Sequence, residues 1–86
     1  MKRGNPEAVR ATLLEVIENQ LRSNDPPEAQ ETLRRLVAEG HTRDEAMKLI
    51  ACALAIEIFD VLKTQAPYDH ARYAANLKRL PELPDE

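Results

Sequence analysis

Apolar side chains recur along this chain with the period of a helix, and polar punctuation divides them into four segments. In the first, Val9, Leu13, Val16, Ile17 and Leu21 fall at i, i+4, i+7 spacing, while Glu15, Glu18, Asn19 and Arg22 take the other positions. That pattern predicts a helix over about 6–22 with one buried stripe. Asn5-Pro6 opens it, placing an N-cap side chain ahead of a proline whose missing N–H costs nothing in the first turn. Ser23-Asn24-Asp25 closes it. Asp25-Pro26-Pro27-Glu28 repeats the opening device, so a second helix is expected over about 26–39, burying Ala29, Leu33, Leu36 and Val37. Gly40 stops that helix, because glycine takes a left-handed conformation without steric cost.

Thr42-Arg43-Asp44-Glu45 has the spacing of a capping box and starts a third helix, expected over about 43–65 until Ala66-Pro67. Its apolar residues run nearly all the way round: Met47, Ile50, Leu54, Ile58 and Val61 on one side, Leu49, Cys52, Ile56 and Phe59 on the other. A helix apolar all round is a buried helix. Asp69 is placed to cap a fourth helix over about 70–80, with Tyr73, Ala74, Leu77 and Leu80 as its stripe. Residues 81–86, with two prolines and three acids, cannot continue it and read as an acidic tail. An echo pairs Asn5 with Asp25, Pro6 with Pro26, Thr12 with Thr32 and Leu13 with Leu33. Shared capping needs and the helical period account for it without a duplication. The expected fold is all-α, a single domain of four bundled helices around a long central third.

At 86 residues, with 43% hydrophobic and 31% charged side chains, the chain has enough apolar content for one folded domain. The net charge of −3, with acids interspersed among the basic pairs Lys2-Arg3, Arg34-Arg35 and Lys78-Arg79, argues against a nucleic-acid partner. The lone Cys52 forms no intramolecular disulfide and fits a reducing compartment. The first residues lack the apolar stretch of a secretory signal, and Leu49 to Phe59 is too short to span a bilayer. A cytoplasmic protein without a membrane partner is therefore expected.

Candidate chemistry is sparse. Glu57 is the one acid within the apolar run Leu49 to Phe59, and a buried carboxylate needs a partner, a raised pKa or a path to water. Gln20 poses the same problem on the first helix, beside Leu13, Val16 and Ile17. Gln20 or Tyr73 is expected within hydrogen-bond reach of Glu57, as an interhelical contact that fixes packing. His41 and His70 have neither i, i+4 pairing nor a second cysteine, so no metal site is expected. Cys52 lacks a neighbouring base, no Gly-rich loop is present, and no catalytic residue or cofactor is assigned. The turn Glu39-Gly40-His41-Thr42 is compatible with ubiquitin-associated domains or a helix-turn-helix DNA reader, but Arg43 is followed at once by Asp44 and Glu45.

Asn5-Pro6, Glu18-Asn19-Gln20-Leu21, Pro26-Pro27-Glu28, Thr32-Leu33, Arg35-Leu36, Glu39-Gly40, Glu45-Ala46 and Ile58-Phe59-Asp60-Val61-Leu62-Lys63 together resemble a family of short bacterial all-helical proteins without an assigned function. The resemblance covers about residues 5–80 and implies a helical, bacterial protein. Members carry histidines where this chain has approximately Leu14, Asp44 and Lys48, so the resemblance carries no metal site over to it.

Three short helices cannot cover every side of a longer apolar one. The bare strip is expected to make a homodimer, with Leu49, Cys52, Ile56 and Phe59 as interface candidates. The function expected is a small non-catalytic structural or protein-interaction module that self-associates and takes an unidentified protein partner if any. The alternatives are an enzyme or metal-dependent site centred on Glu57 and, more remotely, a helix-turn-helix nucleic-acid binder.

Overall fold

The computed structural model describes residues 6–83, and it consists of α1 (Pro6–Ser23), α2 (Pro27–Ala38), α3 (Arg43–Thr64) and α4 (His70–Arg79). The all-α architecture expected from the sequence is present. α3 is unbroken over its 22 residues, about 33 Å at 1.5 Å per residue. α2 packs against each of the other helices, while α1 and α4 lie against α3 on separate flanks.

Local chemistry sets the helix ends. At the start of α3 the Thr42 hydroxyl accepts from the Glu45 N–H at 3.0 Å and the Glu45 carboxylate accepts from the Thr42 N–H at 2.9 Å, so the capping box is closed. α2 ends in a double bond pattern, His41 N–H to Leu36 O at 3.1 Å and Gly40 N–H to Val37 O at 3.0 Å, that needs the left-handed Gly40 at φ 109°. Asp69 caps α4, accepting from the Arg72 N–H at 3.2 Å. α2 starts at Pro27 rather than Pro26: Pro26 occupies the N-cap position without a side-chain cap, and its carbonyl takes the Ala29 N–H at 3.1 Å. The Asn5 cap and the tail beyond residue 83 lie outside the described residues.

The core is built from Ile17 of α1, Leu33 and Leu36 of α2, Ala46, Met47, Ile50, Ala53 and Leu54 of α3, and Tyr73, Leu77 and Leu80 at the C-terminal end. Several residues assigned inward by periodicity are not covered. Val9 is 54% exposed, Val37 45%, Ile58 42% and Val16 38%. Every residue of α1 from Glu7 to Thr12 is exposed, and among the described residues α4 makes no backbone-level contact with α1 that would cover them. The expectation that α3 is buried all round is likewise corrected. Its inner side is buried through Glu57, but Cys52, Ile58, Phe59 and Leu62 are open to solvent.

Candidate functional site

α3 carries two features that concern function, one on each side. Facing inward is Glu57, 1% exposed. The α3 to α4 turn brings the start of α4 over it. Arg72 donates from Nε to Oε1 and from Nη2 to Oε2, both at 2.8 Å, and the Asp69 N–H donates to Oε2 at 3.1 Å. A two-pronged guanidinium contact of this length is a strong charge-assisted pair. The Arg72 bonds hold the Glu57 carboxyl below its ordinary range, against the opposing effect of burial, and the Asp69 N–H adds to the lowering.

A carboxylate with its oxygens so occupied is a poor proton acceptor. What it does mechanically is rivet the first turn of α4 to α3. The expected contact with Gln20 or Tyr73 is not the one formed. Those two residues bond each other instead, Tyr73 Oη donating to Gln20 Oε1 at 3.1 Å and joining α4 to α1. Tyr73 is fully buried, and burial raises its phenol well above the usual value, with the Gln20 bond a partial offset. Arg72 was the missed partner. It stands three residues after the Asp69 cap on the next helix, where the period of α3 does not point to it.

The histidines take separate surroundings. His41 Nδ1 lies 3.8 Å from Glu45, and His70 Nε2 lies 3.4 Å from Glu28 Oε1. Arg43, at the start of α3, is drawn to Glu18 of α1 at 3.3 Å, and this contact lowers the Glu18 pKa. Among the described residues, no group of three or more His, Cys, Asp or Glu side chains converges to hold a metal ion. No helix among them is long and apolar enough to cross a membrane.

The outward side of α3 is different in kind. Lys48, Cys52, Ala55, Phe59 and Leu62 follow one another at alternating steps of four and three, the repeat by which one helix seams against another. Phe59 is 53% exposed and Leu62 71%. Ile56 is half-buried beside them, whereas Leu49 turns toward the core and packs against it. Leu62 was not among the residues singled out from the sequence. Its place on the stripe follows from the same period, which assigned the inner side more readily than the outer one.

Beside the N-terminal half of this stripe, a groove of about 530 Å³ lies between α1 and α3. Val9, Leu13 and Leu14 form its α1 wall, and Ala51, Cys52 and Ala55 its floor, with Arg10 and Lys48 at the rim. The small side chains on α3 make the hollow, since nothing longer than cysteine projects from its floor. No protein-family model, curated protein or solved structure matches this chain.

Proposed function

We propose that this protein is a small non-catalytic interaction module that assembles with a second copy of itself through the outer side of α3. The observation that carries this is the exposed row Cys52, Phe59 and Leu62, set at the four-and-three spacing of a helix seam. Exposed apolar residues scattered singly are ordinary, whereas a contiguous row on one helix marks a contact surface. Charge supports a second copy as the occupant. α3 has Asp44 and Glu45 in its first turn, where Arg43 is already drawn to Glu18 of α1, and Lys63 in its last turn, so two such helices running antiparallel bring Lys63 of each toward the acidic start of the other. Glu57 belongs to this reading as a packing element, because its carboxylate is consumed by Arg72 and Asp69. A bacterial, cytoplasmic setting is part of the same proposal and rests on the sequence.

Sedimentation velocity over a dilution series from low to high micromolar tests it. Wild type is expected to shift from monomer toward dimer as concentration rises, and Phe59→Glu combined with Leu62→Glu is expected to stay monomeric with unchanged helical circular dichroism. A wild-type protein that remains monomeric throughout would remove the proposal.

A further inference from the structure

Building on the proposed self-association, we infer that the groove between α1 and α3 is the seat for Phe59 of a second copy, in an antiparallel two-fold pair centred on Ala55. The groove and the ring lie on the same stripe, seven residues or two turns apart between Cys52 and Phe59, about 10 Å along the axis. A two-fold axis at Ala55 sets each position against the one equally far on the other side. Phe59 of one copy then lies level with Ala51 of the other, over the floor of the groove, and the contact repeats in reverse. This is the self-complementary arrangement that two-fold symmetry demands.

Space and chemistry agree with this register. A cavity of about 150 Å³ holds a benzene ring, and the groove is about 530 Å³ with apolar walls. The helices cross at an alanine, where backbones can come close. Leu62 falls level with Lys48, whose methylene stem can lie along it while the ammonium stays in water. Lys63 of the second copy falls level with Met47, two residues from Glu45 and one from Lys48. A parallel pair would instead set Phe59 against Phe59 and leave both grooves open.

Two single variants and their mixture test the inference. Phe59→Ala removes the ring, and Cys52→Trp, at an exposed position, fills the groove. Each alone removes the contact on both sides of the two-fold axis, so at about thirtyfold for one central aromatic anchor the homodimer is expected to weaken by several hundredfold. Mixed in equal amounts under reducing conditions, they should form a heterodimer about thirtyfold tighter than either variant alone and about thirtyfold weaker than wild type, because it keeps one Phe59 facing one open groove. Val9→Trp, at another exposed position on the groove wall, serves as a second filling variant should Cys52→Trp lose its helical signal.

A wild-type dimer whose two variants are not rescued by mixing overturns the seating and leaves self-association standing. A dimer unaffected by Phe59→Ala overturns it as well. A wild type that is monomeric at all concentrations, yet binds an apolar dye that Cys52→Trp excludes, assigns the groove to a small ligand and removes both proposals.

Discussion

Arg72→Met takes both guanidinium bonds from Glu57 while keeping apolar length along the side chain. What remains is a carboxylate 1% exposed whose other partner is the Asp69 N–H at 3.1 Å. A buried charge left without its counter-ion costs about 3 to 5 kcal/mol, and nearness to the surface puts Glu57 at the low end, about 3 kcal/mol. A domain of this length has roughly 4 to 13 kcal/mol in total, so the loss is visible in urea unfolding. Glu57→Leu should be far milder. It leaves a guanidinium that reaches water and one backbone N–H without its acceptor, about 1 kcal/mol, partly offset by the buried leucine. The double variant is expected close to Glu57→Leu.

Acid provides an independent check. In wild type the Glu57 pKa is lowered, so on acidification the unfolded chain takes up the proton first. The pair's contribution is complete above the ordinary glutamate value near about 4.3 and is lost as pH falls through the folded value. With Arg72 gone, burial dominates and raises the folded value, so the folded chain is protonated first. The deficit of Arg72→Met relative to wild type must therefore shrink between about pH 7 and pH 4. Glu57→Leu proving the more damaging change, or a deficit that does not narrow in acid, would refute the reasoning.

Two further substitutions probe local structure. Gln20→Leu strands the fully buried Tyr73 hydroxyl without an acceptor and should cost about 1 to 3 kcal/mol, whereas Tyr73→Phe leaves a half-exposed amide that water can serve and should cost about 1 kcal/mol; urea midpoints rank the two. Thr42→Ala opens the capping box and should lower stability by about 1 kcal/mol with the helix count unchanged by circular dichroism.

The helices and their ends were legible because capping is local. Thr42 with Glu45, Gly40 and Asp69 act within four residues of themselves, and each does in space what its spacing implies. Facing was legible only in part. The period places Val9, Val16, Val37 and Ile58 on inward stripes, but coverage depends on how far a neighbouring helix extends, which no periodicity records. The partner of Glu57 was illegible for a related reason: a helical wheel reports direction, and a long arginine reaching back from the next helix is a tertiary event. On the outer side of α3 the period placed Cys52 and Phe59, which are exposed, but it also put Leu49 there, which packs against the core, and left out Leu62; the hollow beside them depends on how α1 lies against α3.

Arg35 holds the far end of α4. From α2 it donates to the Leu77 carbonyl at 3.1 Å and to the Lys78 carbonyl at 3.3 Å, the last turn of α4, while its other arm holds Glu39. α4 is ten residues long, shorter than a helix that persists alone in water. It is thus a borrowed helix, pinned at its front by a carboxylate of α3 and at its back by a guanidinium of α2. Its ends are held from outside rather than by its own length. The persistence of α4 is therefore tied to the two helices that hold it.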